Sequence, residues 1–186
     1  MSVHFEETLI CHCAATLARH KCGSLFAYAP GPGESLEENL AAVNARLAGR
    51  GVQARLMKRR ARGGLIYVYR PDQLAARLAQ PEILAFLKER GYAGPALEGA
   101  LETLARRLGQ GEEFPHEIGV FLGYPLADVL GFIAHGGREF CCLGCWKAYS
   151  DAEQARRTFA LYHKCREVYL ACYRRGFDVA RLTVAA

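Results

Sequence analysis

Apolar residues recur along this chain with two different periods, and each period predicts one kind of element. A period of about 3.6 residues predicts helices over residues 4–20, 36–48, 96–108 and 152–175. Shorter apolar runs bounded by glycine or proline predict strands. The predicted strands cover residues 24–29, 52–60, 65–70, 138–150 and 177–184. Helices and strands therefore follow one another irregularly, which is typical of an α+β protein.

The order of the first elements limits the folds that the chain can adopt. After the first helix the chain reads strand, helix, strand, strand, and Gly63 with Gly64 indicates a hairpin between the last two strands. Residues 71–135 carry helical patterns alone, which indicates a helical excursion from the sheet. We expect an α+β fold with a mixed sheet of about four to five strands covered by helices, and residues 1–186 as a single domain.

Composition limits the classes of protein to which the chain can belong. Of its 186 residues, 51% are hydrophobic and 23% are charged, as in globular proteins. No apolar run is long enough to cross a membrane, and Glu6 and Glu7 stand where a secretion signal would be basic. We therefore expect a cytoplasmic protein whose eight cysteines are thiols or metal ligands rather than disulfides. The net charge of +5 permits an anionic partner without requiring one.

Residues 114–135, FPHEIGVFLGYPLADVLGFIAH, predict two short helices that begin at Pro115 and Pro125. Their spacing imitates a DNA-binding helix-turn-helix, with Gly123 in the turn. The second helix, however, has no Arg, Lys, Asn or Gln to reach the edges of bases. We therefore interpret the pair as a packing hairpin and exclude DNA as a partner.

His116 and Glu117 open the first of these helices and have two interpretations. Together they could act as an acid/base pair or as metal ligands. Alternatively, Glu117 complements the helix dipole and His116 makes a local polar contact. The first interpretation stays open because a helix N-terminus is also a natural anion site.

Cysteines near the start of the chain suggest a metal site, but helical geometry limits it. Cys11, His12 and Cys13 are consecutive on the first helix, where neighbouring side chains point about 100° apart. The three cannot converge on one ion without ligands from elsewhere. Cys13 also fits the core face of the helix, where free cysteine is common.

A second cysteine cluster lies in the strand predicted over residues 138–150. Cys142 and Cys145 point to opposite faces of a regular strand and cannot share a metal there. They form a C-x-x-C metal or redox pair only if Leu143 and Gly144 make a turn.

Basic residues crowd the hairpin predicted at residues 55–62 and give two alternatives. They are Arg55, Lys58, Arg59, Arg60 and Arg62. Such a patch could bind the phosphates of RNA. A solvated strand end is the simpler interpretation, because no aromatic residues are interleaved to stack on bases.

Three segments of the chain resemble an uncharacterised bacterial family, a domain of unknown function with the signature HCAPTLAG, FPHEIGxFLGYPLxDVxGFI and GxWKVYxD. The matching segments are HCAATLARHKCGSLFAY (12–28), FPHEIGVFLGYPLADVLGFI (114–133) and GCWKAYSD (144–151). The chain departs from the signature at Ala15 and Ala148, where the family has proline and valine. The resemblance covers essentially the whole chain and implies a protein of anaerobic bacteria linked to iron or redox metabolism. It implies no activity, and it makes His12, Trp146 and Tyr149 candidates for cofactor binding.

The first functional hypothesis is a protein that binds a metal, haem or redox ligand in iron or redox metabolism. Its candidate metal ligands are His12, Cys13, His116, Cys142 and Cys145.

The second hypothesis is an enzyme or binding module for a small phosphorylated or carboxylated compound. Lys147 and the helix start at His116 would bind the anion, and Glu117 would be the base. This hypothesis predicts one pocket that joins residues 12, 116 and 147. A third hypothesis is RNA binding through residues 55–62.

Overall fold

The computed structural model describes residues 1–110 and 114–186, and its elements follow the predicted order up to residue 135. The helices are α1 (Val3–Leu17), α2 (Leu36–Leu47), α3 (Pro71–Leu78), α4 (Pro81–Lys88), α5 (Leu97–Gln110), α6 (Ile118–Phe121), α7 (Leu126–His135), α8 (Ala152–Arg174) and α9 (Val179–Leu182). The strands are β1 (Gly23–Tyr28), β2 (Gln53–Arg59), β3 (Gly64–Tyr69), β4 (Cys142–Leu143) and β5 (Lys147–Ala148). The fold is α+β, as the sequence predicted.

The main sheet has β3 at its centre, between β1 and β2, and both pairings are antiparallel. Every residue of β3 is buried, and its side chains alternate between two hydrophobic cores. Ile66 and Val68 pack in the core with α1, α2 and α9, whereas Tyr67 packs in the core with α3 to α7. Burial on both faces explains why β3 reads as a continuous apolar run.

The sheets differ from the single mixed sheet expected from the sequence. Among the described residues, β4 and β5 pair with each other alone, and Cys142 lies opposite Ala148. Residues 138–150 therefore reverse direction instead of forming one strand. Residues 177–184 contain α9 rather than a strand, because Asp178 caps a helical turn by accepting a hydrogen bond from Arg181 N at 2.8 Å.

Arg70 is fully buried and fastens the end of α1 to the segment after α9. Its Nε donates to Thr16 O, and its Nη2 donates to Leu17 O and Val184 O, each at 2.7 Å. The last carbonyls of a helix lack intrahelical partners and carry the negative end of the helix dipole. One guanidinium therefore satisfies carbonyls from both segments and balances that dipole.

In the part of the chain that the structure describes, no helix combines the length and the hydropathy needed to cross a membrane. The eight cysteines are all free thiols.

Candidate functional site

Asp128, in the first turn of α7, fixes the β4–β5 hairpin to the rest of the molecule. Its buried carboxylate accepts hydrogen bonds from Trp146 Nε1 (2.7 Å), Tyr149 N (2.8 Å), and the N and Oγ of Ser150 (2.9 and 2.8 Å). Burial by itself raises the pKa of Asp128, but these hydrogen bonds outweigh burial and lower the pKa below its usual value. The carboxylate is therefore ionised and serves as a structural acceptor.

Two glycines let the hairpin lie close to the neighbouring helices. A Cβ atom on Gly131 of α7 would lie 2.5 Å from Tyr149 Cγ, and a Cβ atom on Gly144 would overlap the ring of Phe159. Side chains at either position would push the hairpin away, so glycine is required for this close approach. The hairpin is thus seated against α7 and α8 together.

Trp146, the only tryptophan, lies beside the turn of the hairpin and between two other aromatic rings. Its ring stacks on Tyr124 with 4.8 Å between centroids and meets Phe159 edge-on at 4.5 Å. Aromatic pairs at such distances contribute about 0.5–1.5 kcal/mol each beyond their buried area. The segments that carry the family signature after residue 114 therefore pack as one unit.

This unit encloses a cavity of about 380 Å³, which we call the Trp146 pocket. Its volume falls within the range of about 300–1000 Å³ that is common for ligand pockets. Most of its wall is apolar or aromatic. The apolar wall includes Phe114, Ile118, Leu122, Val129, Phe132, Leu143 and Trp146. The polar side chains at the wall are His116, Tyr124, Asp128, Cys145 and Lys147.

Two of the predicted anion-binding residues meet in this pocket. Lys147 Nζ donates to Gly137 O at 2.7 Å and lies 5.2 Å from the centroid of the Phe140 ring. The exposed imidazole of His116 packs edge-on against Phe132 at 4.9 Å. The structure thus brings residues 116 and 147 together, whereas His12 lines a different cavity.

Glu117 does not line the Trp146 pocket, and its carboxylate is buried between two donor side chains. Its buried carboxylate accepts hydrogen bonds from Arg107 Nε at 2.5 Å and from the Tyr92 hydroxyl at 3.2 Å. Burial and the nearby Glu117 charge raise the pKa of Tyr92, which keeps the phenol protonated as a donor. This geometry therefore supports an ion pair, rather than the predicted roles of Glu117 as a base or a metal ligand.

The candidate metal ligands do not converge. Cys13 is fully buried in α1, and burial raises its pKa, so its side chain is a neutral core thiol. The His12 ring stacks flat on Phe26 at 5.3 Å. Within residues 1–110 and 114–186, no three His, Cys, Asp or Glu side chains are placed to hold a metal ion.

Cys142 and Cys145 flank the turn that a C-x-x-C pair would need. Leu143 pairs with Lys147 across the hairpin, and Gly144 N donates to Trp146 O at 3.1 Å. Desolvation raises the pKa of Cys145, which favours the neutral thiol over the thiolate that binds metals. The turn is therefore present, but the described residues supply no complete metal ligand set around it.

Tyr149, the remaining cofactor candidate, packs on α7 instead of lining the pocket. Its ring stacks on His135 with 5.7 Å between centroids. Its buried hydroxyl has no hydrogen-bond partner among the described residues.

The basic hairpin at residues 55–62 is partly neutralised by acidic neighbours. Arg55 forms an ion pair with Glu98, and Arg59 forms one with Glu37. These pairs reduce the positive charge that the sequence offers to RNA phosphates.

The sequence did not single out Lys21, which lies next to the Trp146 pocket. Its Nζ lies 5.4 Å from the ring centroid of Tyr124 and 5.7 Å from that of Tyr162. A lone lysine between a helix and a strand carries no pattern that would distinguish it from a solvated one. The pocket residue Tyr124, by contrast, belongs to the family signature and could have been found from it.

A comparison with protein-family models matches residues 9–183 to a family described as "Protein of unknown function (DUF3793)". No curated protein and no solved structure matches the chain.

Proposed function

We propose that this chain, which belongs to the DUF3793 family of proteins of unknown function, binds a small planar molecule with one anionic group. The ligand occupies the Trp146 pocket, with its apolar part among the aromatic walls and its anionic group at Lys147. The single observation that carries this proposal is a cationic amine at the wall of an apolar cavity, with no carboxylate partner among the described residues.

The aromatic wall favours a planar apolar ligand. Trp146, Tyr124 and Phe132 all border the pocket, and their rings are fixed by mutual contacts or by contact with His116. Rigid aromatic surfaces stack on flat ligands without losing much side-chain freedom. Apolar walls of this kind supply affinity, whereas the few polar groups set the orientation of the ligand.

Lys147 supplies the charge that an anionic group needs. None of the ion pairs among the described residues includes Lys147. Its ammonium has three donors, and the hydrogen bond to Gly137 O uses one of them. Asp128 also borders the pocket, but its oxygens already accept four hydrogen bonds from the hairpin. Two donors of Lys147 therefore remain for a carboxylate, sulfonate or phosphate, and the His116 imidazole can add another.

The test uses 1-anilinonaphthalene-8-sulfonate, a fluorescent probe with apolar rings and one anionic group. Energy transfer from Trp146, the only tryptophan, shows whether the bound probe lies near this residue. N-phenyl-1-naphthylamine has the same rings without the sulfonate and measures the apolar contribution alone. We expect both probes to bind saturably, with the sulfonate the tighter.

The variant Lys147→Gln separates the two contributions. A hydrogen bond to a charged group is worth about 1.5–3 kcal/mol, so the sulfonate should bind about tenfold more weakly or worse. N-phenyl-1-naphthylamine should bind Lys147→Gln within about twofold of its affinity for the wild type. The matched control is Lys164→Gln, an exposed lysine of α8, which should change neither affinity.

Two outcomes would contradict the proposal. The first is binding without energy transfer from Trp146, and the second is an equal effect of Lys147→Gln on both probes. Since the sulfonate probe also binds molten globules, each variant must first show a cooperative thermal transition.

A further inference from the structure

A second cavity of about 250 Å³ opens between α1, the start of β1 and α8, and we call it the Lys21 cleft. It is separate from the Trp146 pocket, although Cys145 lies in the wall of both. The side chains that matter for its chemistry are His12, Lys21, Ser24, His163 and Arg166.

The Lys21 cleft is rich in nitrogen bases and has no acidic side chain in its wall. Lys21, Arg166, His12 and His163 all line it, and no Asp or Glu does so among the described residues. None of these four residues takes part in an ion pair within the described part of the chain. Within residues 1–110 and 114–186, the positive charge of the cleft is therefore left without a counter-charge.

Burial is the main cause of lowered pKa values at two residues of the cleft. Burial lowers the pKa of Lys21, and desolvation followed by the charge of Arg166 lowers the pKa of His12. An anion placed between them would reverse both effects, because it favours the charged form of each base.

The Lys21 ammonium is held in place before any ligand arrives. It lies over the rings of Tyr124 and Tyr162, at 5.4 and 5.7 Å from their centroids, in a cation–π arrangement. The Tyr162 hydroxyl in turn donates to His20 O at 3.3 Å. A cation fixed in this way loses little freedom when it binds an anion.

We propose that the Lys21 cleft binds a phosphate group, either as free phosphate or as part of a small phosphorylated molecule. Lys21 and Arg166 form the charge-assisted hydrogen bonds, and the Ser24 hydroxyl and the two histidines complete the polar wall. Arg166 suits this role because the guanidinium fork matches the geometry of phosphate oxygens.

A metal ion is the less suitable occupant of the cleft. Cys11 and Cys145 line it together with the two histidines, but these side chains are not placed as a ligand set within the described residues. Desolvation also raises the pKa of Cys145, which disfavours the thiolate.

Calorimetric titration at constant ionic strength tests the proposal with two probes, inorganic phosphate and phenyl phosphate. Constant ionic strength, set with chloride, removes the general effect of salt on surface charges. We expect saturable binding with a dissociation constant of about 1 mM or below for at least one probe. Tighter binding of inorganic phosphate would identify free phosphate as the ligand, and tighter binding of phenyl phosphate would identify a phosphate ester.

The variants Arg166→Gln and Lys21→Met should each weaken binding by about tenfold or more, since each removes one charge-assisted hydrogen bond. Arg166 is exposed, so Arg166→Gln keeps the test valid even if Lys21→Met fails to fold. The matched control is Arg174→Gln, an exposed arginine in the last turn of α8, which should leave the affinity within about twofold.

The proposal would be overturned by the absence of saturable binding of both probes, or by wild-type affinity in Arg166→Gln. The phosphate proposal and the Trp146 pocket proposal can fail independently, because different variants test them. Arg166→Gln should leave the affinity for the naphthalene sulfonate unchanged, and Lys147→Gln should leave the affinity for phosphate unchanged.

Discussion

Replacing Asp128 by asparagine tests whether one carboxylate holds the β4–β5 hairpin in place. Oδ1 accepts three of the four hydrogen bonds, from Tyr149 N and from the N and Oγ of Ser150, whereas Oδ2 accepts the one from Trp146 Nε1. Asparagine keeps one acceptor oxygen, but its amide nitrogen would face the indole N–H, so two donors would meet. The variant loses one bond to a charged group and leaves a donor unpaired, which together cost about 3 kcal/mol.

Urea denaturation followed by two signals can show whether the hairpin or the whole fold loses stability. Fluorescence of Trp146 reports the hairpin, and far-ultraviolet circular dichroism reports the helices. In wild-type protein we expect the two transitions to coincide. In Asp128→Asn we expect the fluorescence transition to come at lower urea, because the hairpin separates from α7 before the helices unfold. Asp72→Asn is the control, since it alters an exposed ion pair with Arg19 that is worth below about 1 kcal/mol.

The contribution of Asp128 to the free energy of unfolding should also depend on pH in a known direction. The folded pKa of Asp128 is lowered, so its contribution is fully present above the unfolded pKa of about 3.9 and is lost as the pH falls through the lower folded pKa. The stability difference between wild type and Asp128→Asn should therefore shrink below about pH 4. Coincident transitions in the variant, with a loss below about 1 kcal/mol, would refute this account of the hairpin.

Two further substitutions test structural assignments made above. Arg70→Met should lower the free energy of unfolding by about 3 kcal/mol, because the buried carbonyls at the end of α1 and at Val184 lose their donor. Urea denaturation measures this free energy, and a loss below about 1 kcal/mol would contradict the role given to Arg70. Glu117→Gln should cost about 1 kcal/mol, since Arg107 is partly exposed and water softens the loss of the pair. The same variant should bind the naphthalene sulfonate with wild-type affinity, and weaker binding would show that Glu117 acts in the site after all.

Local patterns predicted most of the elements but not how distant segments meet. The helices at residues 4–20 and 152–175 and the hairpin at Gly63 and Gly64 follow from apolar periods and turn residues, which act over a few positions. The predicted strand at residues 138–150 was wrong because its fold depends on contacts with Asp128 and Phe159. No pattern within the strand itself could show those partners.

The candidate site was predictable to the same extent. His116 stood out because it opens a predicted helix, and Lys147 stood out because it follows Trp146 in the segment that resembles the family signature. The structure places both at one pocket. Two interpretations of Glu117 stayed open in the sequence, and its ion pair could not be predicted because its partners Arg107 and Tyr92 lie on other segments. Lys21 was missed for a related reason, since its two aromatic neighbours come from separate parts of the chain.

The contacts of Arg70 also have a consequence for folding during synthesis. Arg70 and Leu17 both bond to Val184, so the core beside α1 joins residues that emerge from the ribosome at very different times. Val179 and Leu182 belong to that same core, with Ile66 and Val68 of the central strand. Until they emerge, the apolar face formed by α1, α2 and β3 lacks part of its cover, and a nascent chain in that state is a substrate for chaperones.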